Sequence, residues 1–335
     1  MSEVVTLEVA NRWEAYADKA LSGELLTHGE ARNVLAADDD QLLQLLHAAY
    51  RVRRAHFGRK VKLNMLVNAK SGICPEDCGY CSQSIVSTAP VAKYQLLSRD
   101  VLLDGAREAW ARRAGTYCIV ASGRRPSQRE LREVTAAVRQ IKEELPLKVC
   151  ACLGLLSDED AVALREAGVD RYNHNLNTSR DHHENITTTH TYDDRIATLE
   201  SVKRAGISPC SGFIAGMGES DEQIVDVAFA LREIDADSIP VNFLHAVDGT
   251  PLEGTRELNA RRCLKILALF RFVCPSKEIR VAGGRELNLG SLQPLALYAA
   301  NSVFVGDYLT TPGQAAEADY RMIEDLGFEI EECAL

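Results

Sequence analysis

Eight short β-rich runs recur along this chain, and stretches with helical spacing separate them, an alternation that leaves few folds open. The runs are 62–69 (KLNMLVNA), 116–121 (TYCIVA), 148–153 (KVCACL), 171–177 (RYNHNLN), 208–216 (SPCSGFIAG), 238–244 (SIPVNFL), 278–284 (EIRVAGG) and 302–307 (SVFVGD). Between them lie amphipathic segments such as SQRELREVTAAVRQIKEEL, SDEDAVALREAG, YDDRIATLESVKRAG, SDEQIVDVAFALREID and RRCLKILALFRFV. Strands joined through helices run parallel, because a crossover of that length returns the chain to the same end of the sheet. Eight such units predict an α/β fold, a (β/α)8 barrel of the TIM type. The first sixty residues differ in character. Stretches 21–35 and 41–55 carry apolar residues at spacings of three and four, with Asp38 to Asp40 as caps between them. The expected organisation is an N-terminal helical extension (1–60), a barrel (61–315) and a C-terminal helix or tail (316–335) packed on it.

The formal net charge is -10. A chain this acidic is a poor partner for nucleic acid, whose phosphates demand compensating cations. No apolar run approaches the roughly 18 residues of a membrane span, and MSEVVTLEVANRWEAYADKA lacks the apolar segment of a signal peptide. The cytoplasm is the expected location. There, ten cysteines are not a disulfide framework; clustered ones hold metal or do redox chemistry. Cys263, Cys274 and Cys333 stand apart from any cluster and read as small apolar residues.

A barrel of this kind places its active site in the loops after the C-terminal ends of the strands. The first strand runs into NAKSGICPEDCGYCSQS, where Cys74, Cys78 and Cys81 form C-x3-C-x2-C. Three soft thiolates suit an iron–sulfur cluster or zinc. Gly72, Pro75 and Gly79 favour a tight loop around a small object. Three ligands leave one iron of a four-iron core open, and no further Cys or His follows closely to complete a zinc site. The pattern, with aromatic Tyr80 before its last cysteine, resembles the radical S-adenosylmethionine superfamily. That likeness implies a 4Fe–4S cluster whose open iron binds S-adenosylmethionine, and a 5′-deoxyadenosyl radical made from it.

Cys118, Cys150 and Cys210 lie on three predicted strands, and Cys152 shares the face of Cys150. One strand cysteine is usually a buried apolar residue; three on separate strands converge if they point inward. Arg280, on the seventh run, is then expected to be a buried cation without a local acid partner, a costly state that an anionic cluster would relieve. Asn173, Asn175 and Asn177 alternate and so share one strand face, where inward amides need partners that a polar ligand can supply. They can also satisfy one another and loop backbone. His174 has the opposite parity and reads as structural. Arg124 and Arg125 read as a solvated loop pair.

The stretches CPEDCGYCSQS, KVCACLG, DRYNHNLNTS, CSGFIAGMGE, PVNFL, GTPL, IRVAGGRE and NSVFVGDYLTTPG are similar to those of the biotin synthase family, from about residue 62 to 313. The resemblance implies sulfur insertion between C6 and C9 of dethiobiotin, with hydrogen removed first from C9. It implies a 2Fe–2S auxiliary cluster on Cys118, Cys150, Cys210 and Arg280 as the sulfur source, with Cys152 an alternative ligand. Asn173 and Asn242 would meet the ureido ring, and Asn175 and Asn177 the cofactor ribose. Parts of the family carry aspartate where Asn177 stands. The segment containing Gly212, Ile214, Gly216 and Glu219 would pack on adenine, and Arg195 would meet the methionyl carboxylate. A reduced flavodoxin or ferredoxin, iron–sulfur assembly proteins and a homodimeric state are the implied partners.

Two other readings compete. Another radical enzyme on the same barrel, of the hydrogenase-cofactor maturase or methylornithine synthase type, needs Cys74, Cys78 and Cys81 but not the second set. A zinc-bound scaffold needs neither cluster.

Overall fold

The computed structural model describes residues 2–332. Cys333 lies outside the described residues. Ten strands, all paired in parallel, are β1 (Lys60–Lys70), β2 (Thr116–Ala121), β3 (Lys148–Cys152), β4 (Arg171–Asn173), β5 (Ser208–Cys210), β6 (Phe213–Ala215), β7 (Ser238–Phe243), β8 (Glu278–Val281), β9 (Ser302–Phe304) and β10 (Glu329–Ile330). β1 pairs with β2 on one side and β9 on the other, so the sheet closes. With β5 and β6 as one broken stave, the result is an eight-stave barrel, as the sequence alternation predicts. β10 adds to β1 at Lys60 and Val61.

The helices begin where the strand-to-helix loops supply caps. Ser127, Ser157, Thr191 and Ser220 each accept a backbone N–H three residues on, and the residue there returns a bond to the cap's own N–H. Each cap contributes about 1 kcal/mol and fixes where its loop ends. At the N-terminus, α1 (Ser2–Ser22), α2 (His28–Leu35) and α3 (Leu42–Phe57) precede the barrel. The stretch 21–35 is not one helix: the chain turns at Gly23, whose φ is +82°, and restarts from a Thr27–Glu30 capping box. Trp13, Leu45 and Val52 share one buried core with Leu264 and Phe270 of the helix Ala260–Val273.

Two predicted strands are shorter than their runs, for a shared reason. The run 171–177 stops pairing at Asn173, and 208–216 breaks between Cys210 and Phe213. Pro209 and Pro240 remove ladder donors at this level, and a Cβ on Gly212 would lie 2.0 Å from the Pro240 carbonyl oxygen. The two chains rejoin where Asn177 N–H donates to Gly212 O and Ile214 N–H donates to Asn177 O. Asn177 takes φ +66° there, a left-handed conformation that asparagine tolerates better than most residues. The three asparagines therefore do not share a face by strand alternation.

Candidate functional site

The lower barrel interior is polar rather than filled with the usual aliphatic layers. Asn64, Ser238, Glu278, Arg280 and Ser302 are all at most 2% exposed, and Arg171 is buried beside them. Above this layer, toward the C-terminal ends of the strands, opens a cavity of about 330 Å³. Cys74, Cys78, Cys81, Cys118, Cys150 and Cys152 all line it, as do Arg280, Asn173, Asn175, Asn177, Asn242, Tyr80, Arg195 and Ile214.

The cysteine loop after β1 is pinned from the opposite side. Gly79 N–H donates to Ile186 O at 2.8 Å. Asp77 accepts from the Thr187 hydroxyl at 2.6 Å and from the backbone N–H and hydroxyl of Thr188. Burial alone would raise the Asp77 carboxyl, but these threonine donors hold it well below the usual range. Burial pushes the thiols up, Cys81 to about 12. Cys74 and Cys78 move the same way, with Arg195 opposing the rise at Cys78. Neutral buried thiols become thiolates when metal displaces their protons.

The second set meets across neighbouring staves. Cys118 pairs in register with Cys150, and Asn173 with Cys210. Cys150 interacts with both Cys118 and Cys210, which raises its own thiol. Cys210 is held down, to about 6, by the hydrogen bond from Cys150, with burial opposing and Arg280, Asn173 and Arg171 assisting. The Asn173 amide donates to Cys210 Sγ at 3.3 Å. Cys152 sits one step nearer the mouth, its thiol pushed up to about 12 by burial. Soft sulfurs gathered beside a guanidinium fit an anionic inorganic core. Cys263 and Cys274 are buried in the outer core, as small apolar residues.

Arg280 does not lack an acid. Glu278, two residues earlier on β8, faces the same way, and Arg280 Nη2 donates to its Oε1 at 2.5 Å. Arg171 reaches the other oxygen of Glu278 at 2.8 Å. Two charges two residues apart on one strand share a face, which is the signal in EIRV that the sequence reading passed over.

Arg195 is buried on the helix Tyr192–Arg204. Its Nη1 donates to Asn175 O at 2.7 Å, its Nε to His183 Nε2 at 3.3 Å, and its Nη2 lies 2.6 Å from His190 Nε2. His190 Nδ1 is paired in turn with Glu76. His183, His190 and Glu76 were missed, since Glu76 and His190 come from loops and His183 from a single helical turn (His183–Ile186), none of which carries a period. Glu76 Oε1 is buried without a hydrogen-bond partner, with Arg124 Nε at 3.7 Å. Arg124 thus lines the cavity, while Arg125 faces Asp160 at 3.6 Å. His174 also lines the cavity, despite its parity, because the strand has ended before it. Burial depresses its imidazole strongly, and its Nε2 is buried without a partner.

The amides are partly self-satisfied. Asn173 Nδ2 donates to Asn175 Oδ1 at 2.9 Å, and Asn177 Nδ2 to Tyr80 Oη at 2.6 Å. Asn242 Oδ1 accepts from Gly283 N–H and from the Tyr308 hydroxyl, both at 2.9 Å. Tyr308 is a further cavity residue that the sequence reading did not single out. Gly212, Gly216 and Glu219 stand behind the wall that Ile214 presents: Gly212 packs on Pro240, a Cβ on Gly216 would crowd Leu258, and Glu219 accepts the N–H groups of Gly216 and Met217 at 2.7 Å.

Comparison with known proteins bears on the family. Residues 69–231 match the Radical SAM superfamily, and 240–329 the Biotin and Thiamin Synthesis associated domain. The chain is 64% identical over 335 residues to the biotin synthase of Bacillus pumilus (strain SAFR-032), covering 100% of both chains. It is 65% identical over 319 residues to that of Geobacillus kaustophilus (strain HTA426), covering 95% of this chain and 96% of the relative. Among solved structures, a methylornithine synthase matches with a TM-score of 0.83 at 22% identity, over 95% of this chain and 97% of that one. The FeFe-hydrogenase maturase from Carboxydothermus hydrogenoformans matches at 0.80 and 16%, over 100% and 86%. Those two likenesses establish the barrel alone, and the identity to biotin synthases decides between the enzymes that share it. With that identity running its full length, the chain belongs to the biotin synthase family.

Proposed function

We propose that each group of residues lining the cavity has a separate task in converting dethiobiotin to biotin. When bound, a 4Fe–4S cluster and S-adenosylmethionine supply the carbon radical that removes hydrogen from substrate, and a 2Fe–2S cluster supplies the sulfur. Cys74, Cys78 and Cys81 hold the first cluster; Cys118, Cys150, Cys210 and Arg280 hold the second. Arg195 presents its fork to the methionyl carboxylate. Tyr80, Asn175, Asn177 and Ile214 line the cofactor side, and Gly212, Gly216 and Glu219 hold the segment behind Ile214 in shape. Asn173 and Asn242 address the ureido ring with amides that can donate and accept, Asn242 releasing the Tyr308 hydroxyl it now accepts from.

The observation that carries this reading is the common cavity: Cys74, Cys78 and Cys81, then Cys118, Cys150 and Arg280, and the amides between them face one space, with Cys210 reached behind them through Cys150. A substrate seated there is shielded from water on the barrel side, where the strands and the polar layer close the floor. The reading extends to a cytoplasmic homodimer that receives electrons from flavodoxin or ferredoxin, and to iron–sulfur assembly proteins that rebuild the second cluster. It divides the chain into an extension (1–60), the barrel (61–315) and the tail (316–335). Among the described residues no helix is long and apolar enough to cross a membrane.

The test is an anaerobic assay of the reconstituted protein with S-adenosylmethionine, a reductant and dethiobiotin. Biotin formation with loss of the auxiliary cluster is expected. Release of deoxyadenosine without any thiolated product would overturn the assignment.

A further inference from the structure

The floor of the cavity holds a charged network that a barrel core does not need for packing. Glu278 is 2% exposed, and its two oxygens have different partners. Oε1 accepts from Arg280 Nη2 at 2.5 Å, from Ser302 Oγ at 3.0 Å and from Ser238 Oγ at 3.1 Å. Oε2 accepts from Arg171 Nη1 at 2.8 Å and has Lys62 Nζ at 3.5 Å. The residues come from five staves, β1, β4, β7, β8 and β9, so the network is a plug across the barrel rather than a local pair.

The same contacts sort the donors of Arg280. Its Nε donates to Ser302 Oγ at 3.3 Å, and its Nη2 to Ser238 Oγ at 2.9 Å and to Glu278. Among the described residues no acceptor takes Nη1. The guanidinium also lies over the Phe304 ring, 4.9 Å from its centroid. A planar fork gripped along one edge and on one face has its remaining corner fixed in direction. Arg280 lines the cavity beside Cys118 and Cys150, so the free corner belongs to the cavity side. The charge count points the same way. Arg171 and Arg280 face the one carboxylate of Glu278, and Lys62 is shared between Glu278 at 3.5 Å and Glu331 at 3.8 Å, which leaves positive charge under sulfurs that bind iron as thiolates.

We propose that Glu278 is a positioning residue for Arg280: with Arg171 and the two serines it grips one edge of the guanidinium and presents the free Nη1 corner to the centre held by Cys118, Cys150 and Cys210. The inference rests on Arg280 being a ligand of that centre. Glu278 touches neither substrate nor cofactor. It acts through Arg280, fixing the ligand's direction and tempering the positive field beneath the sulfurs.

The experiment uses the full chain reconstituted with ferrous iron and sulfide, in Glu278→Gln, Arg280→Met and Arg171→Met/Glu278→Gln forms. Readouts are iron content, resonance Raman and visible circular dichroism of the auxiliary centre, and its midpoint potential; the 4Fe–4S centre is the internal control. Glu278→Gln is expected to shift the auxiliary spectra and to move that potential upward, because an uncompensated cation favours the reduced centre. The 4Fe–4S signals should stay as they are. A folded Glu278→Gln protein with unchanged auxiliary spectra and potential overturns the proposal. If the single variant does not fold, the double variant removes one charge of each sign and is read the same way. Failure of both to fold makes Glu278 a structural residue and also overturns it. Arg280→Met separates the two levels. If it leaves the auxiliary spectra untouched, Arg280 is not a ligand and the underlying assignment fails. If it changes them while Glu278→Gln does not, the role of Glu278 alone fails.

Discussion

Arg195 Nη2 lies 2.6 Å from His190 Nε2. A guanidinium only donates, so that nitrogen must accept, and the imidazole proton sits on Nδ1, facing Glu76. Glu76, His190 and Arg195 therefore form a directed chain from the cysteine loop to the proposed carboxylate-binding cation. Hydrogen bonds to charged groups contribute about 1.5–3 kcal/mol. His190→Ala should weaken S-adenosylmethionine binding about tenfold, the equivalent of about 1.4 kcal/mol. Equilibrium binding to reconstituted protein checks it; unchanged affinity would show that Arg195 holds its pose without His190.

The same cluster predicts acid sensitivity. Burial, and then Arg195, depress the His183 imidazole to about 4, and His190 is lowered for the same two reasons. Both are ordinary, near 6.5, in the unfolded chain. Below 6.5 the unfolded state binds protons that the folded state refuses, so the stability present at neutral pH is lost progressively as pH falls toward 4. Melting temperature of the apoprotein should already drop between pH 6.5 and 5, above the range where ordinary carboxylates titrate. His183→Gln should flatten that slope.

Asn177 offers a gain-of-function test. Its φ of +66° suits aspartate as well as asparagine, and its amide donates to Tyr80. An aspartate would instead accept from the Tyr80 hydroxyl and keep a second oxygen for a ribose. Asn177→Asp should bind S-adenosylmethionine several-fold more tightly, a change of about 1 kcal/mol for an added charge-assisted hydrogen bond. Titration calorimetry of the two proteins decides it, and weaker binding would remove Asn177 from the ribose side.

Gly212 is predicted to matter for packing rather than for ligand approach. A Cβ there would lie 2.0 Å from Pro240 O and 2.7 Å from Pro240 Cγ, both in the rigid wall of β7. Gly212→Ala should destabilise the apoprotein by about 3 kcal/mol, at the upper end of overpacking costs. Gly29→Ala, in α2 with nothing nearer than 4.0 Å, should instead stabilise by up to about 1 kcal/mol. Denaturant midpoints of the pair separate steric cost from general tolerance of alanine.

These cases mark where sequence reasoning reaches. The eight staves were readable because short apolar runs alternate with helices that carry their own caps, a local signal at every unit. The cysteine sets were readable because residue type and loop position suffice. The break at Asn173 and at Ser211–Gly212 was not, because Pro240 acts on it from a neighbouring strand. The Arg195 cluster was hidden for a similar reason: His183, His190 and Glu76 meet only after two loops have folded over one another. Glu278 could have been paired with Arg280 by parity, but Arg171 comes from β4, more than a hundred residues away.

Cys150 and Cys152 put the second cysteine set to the test. Both face inward on β3, and both line the cavity, so exposure does not choose between them. Their neighbours do. Cys150 interacts directly with Cys118 and Cys210, while Cys152 feels those two sulfurs only at longer electrostatic range. A cluster bridging Cys118 and Cys210 must therefore pass Cys150 first. Cys150→Ala should lose the auxiliary iron and its paramagnetic signal while keeping the 4Fe–4S centre. Cys152→Ala should retain both clusters, since a small apolar side chain replaces a thiol with no required partner. Iron and sulfide analysis with electron paramagnetic resonance on both variants gives the answer. Loss of the auxiliary centre from Cys152→Ala but not from Cys150→Ala would move the ligand one step toward the cavity mouth, farther from the Cys210 partner of Asn173.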